Sequence, residues 1–532
     1  MSEQTIAGRR LSRRNALGIG AAGAAGLALG ASRLGGWGAQ PALAAGDPLV
    51  EPQILESVNG KLNVTLEGKI RPVVVDGVSK NMWVYNGQLP GPTLKLSPGD
   101  QLKLKFKNRL AEMSNMHYHG LHVAPGGISD NVFLHVDPGA DQEYVLDIPK
   151  KHEPGLNWYH PHMHELGTQQ MFGGMSGAMI IKGGLDNVKN IAALPDRVFV
   201  LQATKFSGAD VATFGGPDSR TGDPVSFVHL VNGQVEPVIP MKTDRYQRWR
   251  FVNATINVFY RLELEGHEMI QIAADGHTFN EYYHTNAIEL VPGARIEVLV
   301  KAGFVGTYDL VGTILVRPGQ PTPVTLATAN VRPTFGPNPT TSLHALPQFV
   351  DLRTLPVARQ RELHFDFGAN VFTIDGQVFD PNRIDQVVKL GDVEEWTMFN
   401  DQVAPAPVPH PFHIHTNPFQ VTKVNGVPMN ARSYEDTVNI PGSGSLTVLI
   451  RFLDFTGKAV YHCHIIPHAD FGMMGTFKVT KSGELAEPLV LGANGEFDVS
   501  EAVNPLYCDI PAAAEQGALV AEPALTKPQL TF

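Results

Sequence analysis

Cysteine is nearly absent: two residues in 532, Cys463 and Cys508, which excludes a disulfide framework. Charged residues are only 18% and hydrophobic residues 43%, a balance that excludes a largely disordered chain. Beyond residue 44 no stretch is long and apolar enough to span a bilayer. Basic residues are outnumbered, with Lys and Arg at 42 against 52 Asp and Glu, for a formal charge of −10. Residues 1–44 hold five Arg and one Glu, so the remainder carries −14. Such a surface excludes nucleic acid and anionic membrane as partners.

Punctuation, by contrast, is plentiful. The 53 Gly and 40 Pro separate short segments rich in Val, Ile, Leu, Phe and Thr, a composition that predicts a mostly β protein. At roughly 100 to 200 residues per domain, this length predicts three or four units. Residues 1–44 read as a twin-arginine export signal: Ser12-Arg13-Arg14-Asn15, an Ala/Gly/Leu stretch from Ala16 to Ala31, then Ala42-Leu43-Ala44 as a cleavage site. That stretch is short and interrupted by Gly18, Gly20, Gly23, Gly26 and Gly30, unlike a membrane anchor.

A weak repeat organises the rest. Asn86-Gly87-Gln88 precedes Gly99-Asp100 and Asn108. Asn232-Gly233-Gln234 precedes Asp244, Trp249 and Asn253. Asp375-Gly376-Gln377 precedes Gly391-Asp392, Trp396 and Asn400. Each copy reads as turn, strand, turn, strand. Leu102 to Phe106 and Ile296 to Val300 alternate in polarity with period two, as half-buried strands do. The pattern predicts three β-sandwiches in tandem, with boundaries near 186–195 and in the Pro-rich 318–347 stretch.

Histidine is concentrated in four motifs, two in the first repeat and two in the third. They are His117-Tyr118-His119-Gly120, His160-Pro161-His162, His410-Pro411-Phe412-His413-Ile414-His415, and His462-Cys463-His464 followed by His468 and Met473. The second repeat has Phe259-Tyr260-Arg261 where a ligand pair would stand. On a strand, residues i and i+2 share a face about 7 Å apart, so His-x-His offers two imidazoles to one metal cluster. Cys463, between two histidines, faces the other way. Two imidazoles, one thiolate and a weak Met form a blue-copper donor set, which His410, Cys463, His468 and Met473 supply. Structural zinc prefers four ligands rich in Cys.

At these residues, from about 60 to 480, the sequence resembles the multicopper oxidase family, which includes laccases, bilirubin oxidases and bacterial cuprous and ferrous oxidases. The resemblance implies an all-β fold of three tandem cupredoxin-like Greek-key β-sandwich domains. These would be 45–188 with cluster ligands, 189–335 without copper, and 336–485 with type 1 copper and further cluster ligands, before a C-terminal extension at 486–532. It implies four copper ions. The type 1 ion would be held by His410, Cys463, His468 and axial Met473, and the type 2 ion by His117 and His413. The type 3 pair would take His119, His160, His162, His415, His462 and His464. Asp130, eleven residues after His119, stands where similar proteins place an acid near the cluster, and reads as a proton relay. After His468 several bacterial relatives have Glu; here Ala469 and Asp470 follow, so either Asp470 is the second relay or the proton route differs. Tyr118 and Thr416 stand where Trp and Gly are common, and His122, His135, His152 and His164 read as neighbours of the ligands or surface residues. The extension carries the partnerless Cys508, and its Leu489-Val490-Leu491 suggests docking on the body.

The implied function is a laccase-like oxidase, periplasmic or extracellular, that takes single electrons from phenols, aromatic amines or pigments and reduces O2 to water. An exposed His410 or His468 would admit the electron. A metallo-oxidase of Cu(I), Fe(II) or Mn(II) is the alternative; no Met-rich insertion precedes the third domain, and Met171, Met175 and Met179 read as packing. A non-enzymatic cell-envelope protein of the same fold is a further alternative, against which stands the retention of every ligand.

Overall fold

A computed structural model describes residues 44–214, 223–315, 321–334, 346, 348–368, 371–402 and 407–483. All but the last residue of the expected export signal lies outside these, as do Cys508 and the 486–532 extension. Strands dominate, and the three α-helices among the described residues are each six residues or shorter. No described helix is long and apolar enough to cross a membrane.

Among the described residues six sheets follow the chain in three pairs, forming the tandem cupredoxin-like β-sandwiches that the resemblance implies. The first pair holds Ile54–Glu56 to Gly177–Ile181, with Phe206–Ser207 and Asp210–Val211 added at one edge. The second pair is built from Asp196–Thr204 to Thr322–Arg332, and the third from Arg359–Gly368 to Met474–Thr480.

The repeat recurs in three dimensions. Asn86-Gly87, Asn232-Gly233 and Asp375-Gly376 each place two successive residues at positive φ, a conformation that Asn, Asp and Gly tolerate best. Each leading side chain then accepts a backbone N–H from an earlier strand, from Glu67, Val200 and His364 respectively. Two strands on, Gln101–Asn108, Tyr246–Asn253 and Val393–Asn400 each pair in parallel with the strand that donates that N–H. Their terminal Asn side chains are buried and each accepts the N–H two residues on, closing an Asx turn.

One apolar cluster runs through Trp158, Trp249 and Trp396, one indole per sandwich, while the first sandwich keeps a second cluster of its own around Leu102, Leu104 and Phe106. Full burial of such large side chains contributes roughly 1.5–3 kcal/mol each. Leu102 to Phe106 alternates between buried and exposed as expected. Ile296 to Val300 does not: the strand Arg295–Lys301 is buried on both faces up to its last residue. The reason is Glu297, which turns inward to meet Arg248 at 2.5 Å and lies 3.8 Å from Arg250. Those arginines also pair with Asp186 and Asp196, so the buried charges compensate one another.

Candidate metal centre

The strand Gly457–Cys463 lies between His410–Ile414 and Met474–Thr480 in its sheet. Strand alternation sends Cys463 one way and His462 the other. Cys463 Sγ stands 3.5 Å from His410 Nδ1 and 3.7 Å from His468 Nδ1, and the two nitrogens are 3.3 Å apart. A point equidistant from three atoms so spaced lies about 2 Å from each, the length of a metal–nitrogen or metal–thiolate bond. His468 is carried by the short helix Ile466–Asp470 that follows the strand. Met473 closes this turn: its carbonyl accepts the Cys463 N–H at 3.1 Å and its N–H donates to the His468 carbonyl at 2.9 Å. The Met473 side chain is wholly buried.

Neither His410 nor His468 is exposed, at 0% and 2%, which corrects the expectation that one of these rings meets solvent. Phe372 stacks on His468 with centroids 4.2 Å apart, and Phe367 stacks on Phe372 at 4.3 Å. Phe365 lies 6.3 Å from His410. These aromatic rings, all from the hairpin that opens the third sandwich, roof the trio.

On the other side of the strand the remaining eight motif histidines converge. His117, His413 and His415 offer nitrogens within 4.8 Å of one another; so do His117, His119 and His160, and likewise His162, His415 and His462. His464 joins through its ring, 5.0 Å from His119 and 5.7 Å from His160. Hydrogen bonds choose which nitrogen each ring turns inward. His160, His413 and His462 direct Nδ1 at the carbonyls of Pro161, Asp436 and Cys463, at 2.9, 2.8 and 2.9 Å. A carbonyl only accepts, so Nδ1 carries the proton and Nε2 is left bare. The Nε2 of His462 then lies 3.1 Å from that of His162 and 3.3 Å from that of His415.

Acidic groups flank the cluster. Asp130 is buried; its Oδ1 accepts from His117 Nδ1 and from the Tyr118 N–H, both at 3.0 Å, and burial raises its pKa to about 8. Its Oδ2 has no partner among the described residues. Asp470 Oδ2 accepts from Thr168 N–H and Oγ1 at 2.7 and 2.6 Å, and burial raises its pKa to about 7. It lines a small cavity with His160, His162, His164 and His462, so the structure brings it within reach of the cluster. Motif reading missed Asp436, whose Oδ1 lies 3.1 Å from His119 Nε2, and Arg295, which pairs with both Asp436 oxygens. Burial pushes the Asp436 carboxyl up, but the Arg295 charge outweighs it and holds the group well below the carboxylate range. Motif reading also missed Gly293, at φ +88°, where a Cβ would stand 2.7 Å from the His464 ring.

The neighbouring histidines divide. His122 bridges sandwiches, with Nδ1 at 2.7 Å from the Thr416 carbonyl and Nε2 at 2.9 Å from Asp454. His152 accepts the His122 N–H, His164 packs on Phe379, and His135 is exposed. Thr416 adopts φ +68°, the left-handed conformation that a glycine would hold without strain. Tyr118 is buried against Tyr144.

The donor chemistry fits copper. Burial, reinforced by neighbouring imidazoles, holds His117, His119, His160, His415, His462 and His464 far below the usual imidazole pKa; burial alone takes His410 to about 3. These rings are therefore neutral. His117 Nε2, His119 Nδ1, His160 Nε2 and His413 Nε2 are buried without a hydrogen-bond partner among the described residues. Each such group costs about 1–3 kcal/mol unless something binds it. A cation preferring imidazole, with one thiolate site beside it, matches the set.

Three family models, each described as multicopper oxidase, match residues 69–185, 157–332 and 353–483. The chain is 28% identical to "Multicopper oxidase mco" of Staphylococcus aureus, over 80% of this chain and 90% of that one. It is also 28% identical to "Cell division protein FtsP" of Escherichia coli (strain K12), over 75% and 86%. A solved multicopper oxidase of Campylobacter jejuni, described as a metallo-oxidase, superposes with a TM-score of 0.72 at 26% identity, covering 82% of this chain and 96% of that one. With matching models over each sandwich and such relatives spanning most of its length, the chain belongs to the multicopper oxidase family.

Proposed function

We propose that this protein is a laccase-like oxidase, exported by the twin-arginine route to the periplasm or beyond, that couples one-electron oxidation of an organic reductant to reduction of O2 to water. The observation that carries it is the strand Gly457–Cys463, which holds Cys463 in one donor set and His462 in the other. His410, Cys463, His468 and Met473 would hold the type 1 ion, and His117 and His413 the type 2 ion. His119, His160, His162, His415, His462 and His464 would hold the type 3 pair. Copper, when bound, supplies reversible one-electron chemistry, so that four single-electron oxidations sum to one four-electron reduction.

The chain's own contribution is position and protons. Backbone carbonyls orient the imidazoles, and the peptide links of His462, Cys463 and His464 join the two donor sets by a few covalent bonds. Asp470, at the cavity, is anchored by Thr168 at Oδ2, and burial favours its protonated form. Asp130 holds a proton at Oδ2 behind His117. The reductant would dock over Phe372, near which Val371, Val378 and Phe471 are exposed, and pass its electron to His468 across that buried ring. An apolar aromatic surface suits phenols, aromatic amines and pigments better than hydrated metal ions. The metallo-oxidase reading is favoured by the description of the Campylobacter jejuni relative alone.

Oxygen uptake by copper-loaded protein, driven in turn by phenols, a bilirubin-like pigment, Cu(I), Fe(II) and Mn(II), tests the reading. Efficient turnover of organic donors is expected. Turnover of metal ions alone would move the protein to the metallo-oxidases, and no uptake with any donor would remove it from the enzymes.

A further inference from the structure

The middle sandwich supplies none of the motif ligands, yet its strand Arg295–Lys301 begins with a guanidinium that is 0% exposed and lies behind the cluster. Arg295 Nη1 and Nη2 donate to Asp436 Oδ1 and Oδ2, both at 2.6 Å, a bidentate pair. Its Nε donates to the Leu156 carbonyl at 3.4 Å and Nη1 also to the Gly293 carbonyl at 3.3 Å. One side chain thus touches all three sandwiches. Asp275, on the middle sandwich, accepts the Arg295 N–H at 2.9 Å, and its other oxygen accepts the Asp436 and Thr437 N–H groups at 3.0 and 2.9 Å. Gly120 makes room: at φ +91°, a Cβ there would stand 2.2 Å from Arg295 Nη2, which gives the last residue of His117-Tyr118-His119-Gly120 a physical reason.

What the guanidinium holds in place decides how two ligand rings face. Asp436 Oδ1 lies 3.1 Å from His119 Nε2, and Thr437 Oγ1, which donates to the same oxygen at 2.8 Å, lies 3.1 Å from that nitrogen as well. A carboxylate paired bidentately with arginine can only accept. His119 must therefore carry its proton on Nε2 and turn Nδ1 inward, and Nδ1 is the nitrogen without a partner. The main-chain carbonyl of the same Asp436 takes the Nδ1 proton of His413 at 2.8 Å, leaving that ring's Nε2 bare. The two rings stack at 3.8 Å and 11°. One residue of the third sandwich thereby orients a ligand of the first and a ligand of its own, by opposite ring atoms.

We infer that Arg295 is a positioning residue of the cluster, fixing His119 as an Nδ1 donor and His413 as an Nε2 donor through Asp436. The inference rests on the copper reading of the site. Its test compares wild type with Arg295→Met, Arg295→Lys and Asp436→Asn after copper loading. Three quantities are read: the blue absorption of the Cys463 site, the electron paramagnetic resonance of the type 2 signal, and copper retained against a chelator. The blue band is expected to persist in every variant, with the type 2 signal altered and cluster copper held about 10- to 100-fold more weakly. Lysine is expected not to restore it, because a point charge lacks the planar fork. Wild-type signals and retention in Arg295→Met, or full rescue by lysine, would overturn the inference while leaving the functional reading intact. Loss of the blue band together with the cluster in both Arg295→Met and Asp436→Asn would reduce Arg295 to a structural role and overturn it too. A wild-type chain that takes up no copper would sink the functional reading, and this inference with it.

Discussion

Cys463 and His152 show how much a single side chain decides. The thiol is buried between two imidazole nitrogens, with only the Ile465 N–H besides among the described residues, and burial pushes its pKa up, so a cation in the trio is what would stabilise its thiolate. Cys463→Ser is expected to abolish the blue absorption and oxygen uptake while leaving the copper bound by the eight clustered histidines; a serine variant that stays blue would contradict the assignment. His152 is neutral for a different reason. Its Nε2 accepts the His122 N–H at 3.0 Å and its Nδ1 faces the Glu153 carbonyl at 2.8 Å, and burial lowers its pKa to about 4. A histidine held below its unfolded value of about 6.5 stabilises the fold fully above that pH, and the contribution is lost as pH falls towards 4. Denaturant midpoints between pH 6.5 and 4 should therefore fall more steeply in wild type than in His152→Gln, by up to about 1.4 kcal/mol per pH unit. Equal slopes would show that the ring titrates normally.

At the scale of elements, the strand Gly457–Cys463 and the turn at Gly293 matter most. The first was legible in advance, because i and i+2 on an extended chain share a face whatever surrounds them. The turn was not, since nothing local to Val291-Pro292-Gly293-Ala294 says that a histidine 171 residues later will lie against it. Gly293→Ala is expected to destabilise the protein by about 1–3 kcal/mol through overpacking and to displace His464. The blue site should be spared, because it lies on the other face of the strand; calorimetry with copper stoichiometry checks both, and unchanged cluster copper would refute the contact. The strand Arg295–Lys301 gives the opposite lesson. Its alternating polarity suggested one solvated face, yet Glu297 is buried beside Arg248 and Arg250 on the adjoining strand, a pairing that polarity alone does not reveal.

The whole molecule places ten histidines from its first and third sandwiches around two centres, and the middle one contributes Arg295 against Asp436. Because several bare imidazole nitrogens are buried at those centres, the folded chain is expected to bind copper far better than the unfolded one. Chelation should then lower the melting temperature, with about 2.7 kcal/mol lost when free copper had stood at 100 times its dissociation constant. An unchanged melting temperature after complete copper removal would show that the centres fold without help from the metal.

The sequence by itself determined the β-rich architecture, the threefold repeat, the four histidine motifs and the opposed directions of Cys463 and His462. All of these rest on turn chemistry and on the period of a strand, which act over a few residues. Tertiary structure alone decided that Phe372 covers His468, that Arg295 and Asp436 orient His119 and His413, and that Gly120 and Gly293 are needed where they stand. Those contacts join residues as far apart as His119 and Asp436, 317 positions along the chain. Only the packing of the three sandwiches against one another brings such partners together, and no local pattern carries that information.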